Sequence, residues 1–473
     1  MLSRRARENN EWFLERFKRP LSRQGSKSKS NIDLATAENW LIRPEILSLL
    51  KQNFQADFQS NNLSYAPGLG GTPELLSAAS SFFNHFFSPA IPVQPKHLVT
   101  SAGCSAVIDT LINDICDDGD GLLVATPYWG MDMRTPLTVL PADHLWHEFI
   151  GSFEVSSVLR NGVKLIPVPI SYGESQCAQS IVEAYRAAAE NTPRKVRGLL
   201  FCNPHNPWGH ICSVEIIDAL LQYCEQADIH FVSDEIYALS TFGRVVLPSS
   251  GSAGQSEKFV SPDAKFVSVL SRDLTKLGVN GERVHVVYSI SKDFGCSGLR
   301  LGCLVTQANE KFRMSQAILN NGKLCTAAQV MVAPILRDTS QLSALVSLNI
   351  QRMQSAARLA IQFAEFHNLT YYEPVAGVYI WLRLSSLCKT DEEEEAIVQR
   401  CAKQGVFVGS GSDYCEGQAG WFRLTFALST DKFIQGLRLI ETAMDYEDRF
   451  DFGLVESSTA NFVSRIWRRL GLL

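Results

Sequence analysis

A lysine at position 292 follows a run of apolar residues and is flanked by hydroxyl groups and glycines, in the sequence YSISKDFGCSGLR (residues 288–300). A lysine withdrawn from solvent has a lowered pKa, and its neutral amine is a nucleophile for carbonyl carbons. The neighbouring Ser289, Ser291 and Arg300 could bind an anion such as phosphate. Taken alone, the same pattern is equally typical of a strand end whose lysine reaches solvent.

Two earlier segments carry further polar groups at the ends of apolar runs. FCNPHNPWG contains Asn203, and VSDEIYA contains Asp234 and Tyr237. Separately, an Asn-Pro pair is a turn former and an Asp-Glu pair is common on surfaces. In combination with Lys292 and Arg300, they match the needs of pyridoxal 5'-phosphate (PLP), which are a Schiff-base lysine, an acid at the pyridine nitrogen, donors to the 3'-oxygen and a phosphate cradle. The sequence therefore predicts PLP as the cofactor.

With these motifs the sequence resembles the class I/II aminotransferases of fold type I, and within them the branch similar to 1-aminocyclopropane-1-carboxylate (ACC) synthase, in a fungal-type member. The resemblance covers about residues 31–445, and RVHVVYSISKDFGCSGLRLG and GWFRLTFA carry most of it. It implies an α/β fold, in which a mostly parallel seven-stranded sheet covered by helices forms a large domain beside a smaller α+β domain.

The resemblance also implies roles in binding the cofactor. Lys292 matches the Schiff-base lysine that removes the substrate α-proton, and Asp234 matches the acid that keeps the pyridine nitrogen protonated. Asn203 and Tyr237 match the two donors to the 3'-oxygen. The residues that match the phosphate site are Ser289, Ser291, Arg300, Cys104 and Ser105.

Four further residues match positions that contact the substrate, the cofactor ring or a second subunit. Arg423 corresponds to the arginine that binds the substrate α-carboxylate, and Trp129 to the aromatic ring that stacks on the cofactor. Glu38 either lies near the substrate, as in ACC synthases, or belongs only to the neighbourhood of a helix N-terminus. Tyr65 resembles the tyrosine that reaches the neighbouring subunit's phosphate, which implies a homodimer with shared active sites.

The sequence departs from ACC synthases around Trp129, which replaces a tyrosine, in PYWGMDMR. The chain after it is also longer, and includes an aromatic segment at 141–157. This segment either lies near the mouth of the site or forms a packed surface hairpin.

Three reactions on an amino acid substrate remain open, and all begin with loss of the α-proton. The first, which the resemblance favours, is an ACC synthase-like lyase that converts S-adenosylmethionine to ACC and methylthioadenosine. The second is an aminotransferase that passes the amino group to a 2-oxo acid. The third is a carbon-sulfur β-lyase of cysteine conjugates in sulfur secondary-metabolite biosynthesis. The complete set of cofactor residues argues against a non-catalytic relative.

Alternating apolar runs and helical stretches predict the elements that position these residues. Apolar, β-branched runs predict strands of a sheet covered on both faces, at 97–103, 121–129, 163–170, 196–204, 229–238, 283–293 and 299–307. Long helices are expected within 310–367, a helix at 391–405, and short strands within 371–384 and 421–428. Segment 247–263 is expected to be a polar surface loop.

These elements and the charge distribution suggest a domain organisation along the chain. We expect a basic flexible arm at 1–30, an N-terminal segment at 31–60 that joins the small domain, a large PLP-binding domain at 61–325, a small domain at 326–450 and a tail at 451–473. Residues 1–30 carry nine Lys/Arg and three Glu. The three glutamates argue against a mitochondrial transit peptide, and a solvated arm is the simpler interpretation.

The composition excludes several other classes of function. The 473 residues carry a net charge of -5. Because residues 1–30 are basic, the rest of the chain is more acidic than this value, which argues against nucleic-acid binding by that part. No apolar run reaches the roughly 18 residues of a membrane span. Twelve scattered cysteines without a CxxC pair predict reduced thiols and a cytoplasmic protein. His144 and His147 are close in sequence, but no further ligands complete a metal site, so we expect no metal.

Overall fold

The computed structural model describes residues 2–4, 6, 7, 9–11, 31–130, 153, 157, 160–247, 257–261 and 265–453. Most of the predicted basic arm, most of the 141–157 segment with His144 and His147, and most of the predicted tail therefore lie outside the described residues.

The strands alternate with helices along the described chain. The strands are β1 (Ile32–Asp33), β2 (Leu98–Ser101), β3 (Gly121–Thr126), β4 (Lys164–Pro169), β5 (Val196–Cys202), β6 (His230–Asp234), β7 (Lys258–Phe259), β8 (Val284–Ser289), β9 (Gly302–Val305), β10 (Tyr371–Tyr372), β11 (Tyr379–Arg383), β12 (Val406–Phe407), β13 (Gly409–Ser410) and β14 (Trp421–Thr425). The α-helices are α1 (Arg43–Asp57), α2 (Pro73–Phe86), α3 (Cys104–Ile115), α4 (Ala178–Asn191), α5 (Val214–Gln226), α6 (Leu274–Leu277), α7 (Ile290–Asp293), α8 (Glu310–Leu319), α9 (Thr326–Arg337), α10 (Thr339–Phe366), α11 (Asp391–Gln404) and α12 (Thr430–Ala443).

Among the described residues, seven strands form the large sheet, in the order β2-β9-β8-β6-β5-β3-β4. Strand β9 runs antiparallel to both of its neighbours, and the other pairs are parallel. The predicted fold class and its mostly parallel seven-stranded sheet are thus confirmed. Each of the seven predicted apolar runs contains one of these strands.

Helices cover both faces of the large sheet, because its strands are apolar on both sides. In β5, Leu199 and Phe201 belong to one core and Leu200 to another. In β8, Val286 and Val287 divide in the same way. Since side chains alternate along a strand, each strand contributes to two separate cores. The polar side chains of this sheet are consequently concentrated at the strand ends.

A second, smaller sheet has the strand order β13-β14-β11-β10-β7. It packs with α10, α11 and α12 around its own apolar core. The N-terminal segment contributes to this core, because β1 pairs in parallel with β12, with Ile32 beside Val406. The proposed domain limits remain a prediction, although this pairing places the segment after residue 31 against the small sheet.

Strand β7 differs from the expected surface loop at 247–263. Lys258 and Phe259 pair in parallel with Tyr371 and Tyr372. The Phe259 ring stacks on Tyr372, with centroids 4.5 Å apart. Two residues within a polar segment give too short a pattern to indicate a strand, and here the pairing is stabilised by an aromatic contact with a distant part of the chain.

Three general expectations can be compared with the described residues. Their helices include none that is both long and apolar enough to cross a bilayer. All twelve cysteines lie in described segments, and none forms a disulfide bond there. No cluster of His, Cys, Asp or Glu within these segments has the arrangement of a metal site.

Candidate active site

A cleft of about 1170 Å³ opens where the carboxyl ends of β5, β6 and β8 face the small sheet. Open α/β sheets bind ligands at this edge, and ligand pockets usually measure roughly 300–1,000 Å³. The cleft is therefore large enough for a cofactor with a substrate. The predicted site residues that line it are Glu38, Cys104, Ser105, Trp129, Asp234, Tyr237, Ser291, Lys292, Arg300 and Arg423.

Lys292 reaches the cleft from α7, which begins directly after β8. Ser289 caps this helix, since its hydroxyl oxygen accepts a hydrogen bond from the Ser291 backbone N–H at 3.1 Å. The Lys292 amine donates to the carbonyl oxygen of Ala37 at 2.6 Å. The lysine is thus oriented by a neutral acceptor of the N-terminal segment and remains chemically able to attack a carbonyl.

Ser289 and Ser291 differ in their relation to the cleft. The Ser289 hydroxyl is buried and donates to the Leu301 carbonyl oxygen at 2.8 Å. It also lies 2.7 Å from the Ser291 hydroxyl oxygen. Ser291 lines the cleft, whereas Ser289 lies behind it as a helix cap. The phosphate-binding role of both serines remains a prediction.

Asp234 ends β6 and is buried, with its side chain lining the cleft. Burial raises the pKa of Asp234 to about 7, against the opposing effects of the Ile236 backbone N–H and the charge of Lys292. The Ile236 backbone N–H donates to Asp234 Oδ1 at 3.2 Å. Few groups stabilise the ionised form of this buried carboxyl. It is therefore suited to pairing with a cation in the cleft.

Asn203 follows β5, the strand that pairs with β6, and Tyr237 lies three residues after Asp234. The Asn203 backbone N–H donates to the Asp234 carbonyl oxygen at 3.0 Å, and its Oδ1 accepts from the Cys212 N–H at 3.0 Å. The second contact fixes the orientation of the amide. Asn203 is buried beside the cleft without lining it, while the buried Tyr237 does line it.

Arg300 and the turn before α3 form a basic corner of the cleft. Gly103 has φ 85°, and a Cβ at this position would lie 2.4 Å from Arg300 Nη2. The glycine therefore allows the guanidinium to lie against the N-terminus of α3, where Arg300 also donates to the Ala102 carbonyl oxygen at 3.0 Å. Cys104 and Ser105 begin this helix, whose free N–H groups favour an anion.

Arg423 is completely buried in β14 of the small sheet and lines the cleft. Its Nη1 donates to Asn206 Oδ1 at 3.1 Å, and its Nη2 donates to the Ala35 carbonyl oxygen. The rings of Tyr379 and Tyr414 lie 5.0 and 4.8 Å from its Cζ. A buried guanidinium held in this way presents a fixed fork to a carboxylate.

Glu38 also lies in the cleft, where it is already paired with Arg43 at 2.8 Å. The Ser297 hydroxyl donates to its other carboxylate oxygen. Burial by itself would raise the pKa of Glu38, but Ser297, Arg43 and the more distant Lys292 outweigh burial and lower it. Glu38 is therefore an ionised member of a network, and its contact with substrate remains a prediction.

Trp129 and Tyr65 occupy very different environments. Trp129 lines the cleft and meets Phe153 edge-on, with ring centroids 5.7 Å apart. Phe153 is a described residue of the longer segment after Trp129, and its contact brings part of that segment beside the site. Tyr65 is fully exposed and is not one of the residues that line this cleft. Its contact with a second subunit remains a prediction.

Several residues of the site were not singled out from the sequence. Asn206 and Tyr379 contact Arg423, and Arg43 pairs with Glu38. Asn206 could have been found from its place in the same Asn-Pro-rich turn as Asn203. Tyr379 and Arg43 had no such signal, because their contacts with Arg423 and Glu38 are evident only in the folded protein.

A family model described as aminotransferase class I and II matches residues 32–133 and 155–438. The chain belongs to this aminotransferase family. It is a PLP-dependent enzyme of the aminotransferase type, and the predicted family and cofactor are confirmed.

Two relatives and one solved structure show different degrees of similarity to this chain. Aminotransferase verI of Clonostachys rogersoniana is 67% identical over 473 residues, which is 100% of both chains. Arabidopsis thaliana 1-aminocyclopropane-1-carboxylate synthase 5 is 26% identical over 87% of this chain and 80% of its own. The structure of Thermus thermophilus aspartate aminotransferase with maleate has a TM-score of 0.68 and 20% identity, covering 94% of this chain and 99% of that one.

The cleft of this aminotransferase-family protein has the groups that PLP requires. Asp234 offers a buried acid, Lys292 an amine and Tyr237 a phenol, and the Cβ-free surface of Gly103 leaves room for Arg300 at a helix N-terminus. The residues that would hold the cofactor are thus Lys292, Asp234, Tyr237, Arg300 and the start of α3, with Asn203 behind them. Their arrangement fits the group chemically.

Proposed function

We propose that this aminotransferase-family protein removes the α-proton of an amino acid whose carboxylate is bound by Arg423. When bound, PLP supplies an electron sink that stabilises negative charge at the substrate Cα. Lys292 accepts the α-proton on Nζ, since its amine lies in the same cleft as the Arg423 fork. The Asp234 carboxylate balances positive charge on the pyridine nitrogen, and the Tyr237 phenol donates to the 3'-oxygen.

The observations that carry the choice of reaction are the volume of the cleft, about 1170 Å³, and its apolar wall. Besides the polar groups, it is lined by Trp40, Ile46, Leu47 and Leu50. A free amino acid with a small side chain would leave this wall in water, whereas a bulky conjugate would cover it. We therefore propose a carbon-sulfur β-lyase that cleaves cysteine conjugates, in fungal secondary metabolism.

The atoms balance in this reaction. Lys292 takes the α-proton, the Cβ–S bond breaks with its electron pair on sulfur, and the resulting thiolate takes up that proton and leaves as the thiol. Hydrolysis of the remaining three-carbon unit gives pyruvate and ammonia. Apart from the cofactor, no oxidant or second organic substrate is required.

Transamination is the second candidate, and the 67% identity to a protein named an aminotransferase favours it. In that reaction Lys292 returns its proton to the cofactor instead of assisting loss of a group at Cβ. The ACC synthase-like reaction has weaker support, because the Arabidopsis synthase is only 26% identical.

One experiment separates these reactions. The purified PLP-loaded protein is incubated with an S-aryl cysteine, with an amino acid plus 2-oxoglutarate, and with S-adenosylmethionine. We expect pyruvate and ammonia from the first mixture. Glutamate in the second mixture alone would favour transamination, and methylthioadenosine in the third would favour the ACC synthase-like reaction. Lys292→Ala is the control and should give none of these products.

We also propose that the active unit is a homodimer with shared sites. The full exposure of Tyr65 supports this, because a phenol that leaves its own cleft is available to a second copy. Subunits carrying Tyr65→Phe and Lys292→Ala should regain activity when mixed, since one hybrid site then has both native residues. Mixtures no more active than the separate variants would oppose sharing.

A further inference from the structure

Two contacts join residues 37–39 of the N-terminal segment to Lys292 and to the residue after it. The Lys292 amine donates to the Ala37 carbonyl oxygen at 2.6 Å. The Asn39 side-chain Nδ2 donates to the Asp293 carbonyl oxygen at 3.2 Å. The segment therefore binds the amine and the backbone next to it at the same time. Because only one residue separates Ala37 from Asn39, these contacts fix the amine relative to the start of its own side chain.

The Asp293 carbonyl oxygen needs side-chain donors because it ends helix α7. The last carbonyl groups of a helix have no partner within the helix, and Asp293 is buried away from water. A second buried amide, that of Asn349 in α10, donates to the same oxygen at 3.1 Å. Two side-chain amides thus complete the C-terminal end of the helix that carries Lys292.

The orientation of the Asn39 amide follows from its other contacts. Its Oδ1 accepts a hydrogen bond from the Leu41 backbone N–H at 3.0 Å. Since a backbone N–H can only donate, the amide oxygen faces Leu41 and the Nδ2 faces Asp293. The Nδ2 also donates to Asn349 Oδ1 at 3.0 Å. Both hydrogens of this buried amide are therefore used.

The backbones of the segment and of the loop after α7 also touch. Gly295 has φ 64°, and a Cβ at this position would lie 2.1 Å from the Asn39 carbonyl oxygen. Arg43 Nε donates to the Gly295 carbonyl oxygen at 3.1 Å. Helix α10 holds the segment as well, because its Arg352 pairs with Glu45 at 2.8 Å. The segment is thus attached both to α10 and to the loop that follows the lysine.

We propose that Asn39 is a positioning residue for Lys292. It binds the backbone next to Lys292 and keeps the amine beside the Ala37 carbonyl oxygen, where the amine accepts the α-proton of the substrate. An ammonium group has three hydrogens to donate, so a fixed carbonyl oxygen also stabilises the amine after it has taken up the proton. Asn349 shares this role through the Asp293 carbonyl oxygen. The inference rests on the proposed removal of the α-proton by Lys292.

The test measures removal of the α-proton itself. The PLP-loaded protein is incubated in deuterium oxide with S-phenylcysteine, and the loss of the α-hydrogen signal is followed by NMR. Exchange and elimination both remove this signal, so the rate reports on Lys292 whichever product forms. Asn39→Ala and Asn349→Ala should each lower the rate at saturating substrate by about 10- to 100-fold, because a small displacement of a reacting group has effects of this size. The concentration at half-saturation should stay close to that of the wild type, because Arg423 still binds the carboxylate.

A second readout does not depend on activity. In the cofactor-free protein, hydrogen–deuterium exchange of the peptide 288–300 should be faster in both variants than in the wild type, because the Asp293 carbonyl oxygen has lost a donor. Asn320→Ala is the matched control. Asn320 is also a buried asparagine, and its Nδ2 donates to Thr110 Oγ1 at 3.0 Å and to the Gln316 carbonyl oxygen at 2.8 Å. This control should keep the wild-type rate and the wild-type exchange of the peptide.

The outcomes distinguish this inference from the proposed function. A wild-type rate at saturation in both variants overturns the role of Asn39 alone, and so does an equal loss of rate in Asn320→Ala. A change in half-saturation without a change in the saturating rate also overturns it. PLP-loaded wild-type protein that leaves the α-hydrogen signal unchanged overturns the proposed function and this inference with it. If Asn39→Ala does not fold, Asn349→Ala decides the question, because it removes only one of the two donors to the Asp293 carbonyl oxygen.

Discussion

The buried carboxyl of Asp234 should make the cofactor-free protein less stable as the pH rises. Its pKa is raised by burial from 3.8 to about 7. The folded protein then holds this proton more tightly than the unfolded chain does. The stabilisation is complete below pH 3.8 and is lost as the pH rises through about 7. Asp234→Asn, which mimics the neutral carboxyl, should remove this loss.

The magnitude follows from the two pKa values. Over the full range from 3.8 to about 7, the difference corresponds to about 4 kcal/mol. Of this stabilisation, about 3 kcal/mol is lost between pH 5 and pH 8. Glu235 and Asp293, whose pKa values burial also raises to about 7, contribute similarly in both proteins. The variant should therefore retain part of the pH dependence of the wild type.

The assay is urea unfolding of the cofactor-free protein at pH 5 and pH 8, followed by tryptophan fluorescence. The free energy of unfolding should fall less in Asp234→Asn than in the wild type. Asp293→Asn repeats the test at a second buried carboxyl: its free energy of unfolding should also fall less than that of the wild type. It should be less stable at both pH values, because Asp293 accepts from the Leu239 N–H and from the hydroxyls of Ser240 and Tyr288. An equal fall in Asp234→Asn and wild type would refute the reasoning. Asp234→Asn should also bind PLP more weakly than the wild type, because the amide cannot balance the pyridinium charge.

Three other substitutions test the remaining parts of the cleft. Arg423→Lys should raise KM for the amino acid on the order of 10- to 100-fold, because the bidentate fork is lost; an unchanged KM in steady-state assays would contradict this. Gly103→Ala places a Cβ 2.4 Å from Arg300 Nη2 and should weaken PLP binding in fluorescence titrations, whereas Gly119→Ala, with nothing within 4 Å of its Cβ, should not. Arg43→Met removes a charge that lowers the Glu38 pKa, so the acidic limb of the pH profile of kcat/KM should move to higher pH; an unmoved limb would contradict a catalytic role of Glu38.

The large sheet and the strand-end residues could be predicted because their signals are local. A buried parallel strand needs a short apolar run, and Lys292 and Asp234 stand directly at the ends of such runs. The carboxyl ends of parallel strands meet at one edge, so these residues were expected to converge. The cofactor itself followed from the combination of residue types.

The contacts that orient these residues could not be predicted in the same way. The Lys292 amine is bound by a carbonyl 255 positions earlier, and Arg423 by an amide 217 positions earlier. Such pairs leave no periodic pattern in the sequence. Strand β7 was missed for a related reason, because its two residues are held by a pairing with β10 and by the aromatic contact of Phe259.

The most direct test of the central claim is the site of covalent attachment of PLP. The purified holoprotein is reduced with borohydride, digested and analysed by peptide mass spectrometry. We expect the added cofactor mass on Lys292 and its disappearance in Lys292→Ala. Attachment to another lysine, or a wild-type protein without any modified peptide, would contradict it.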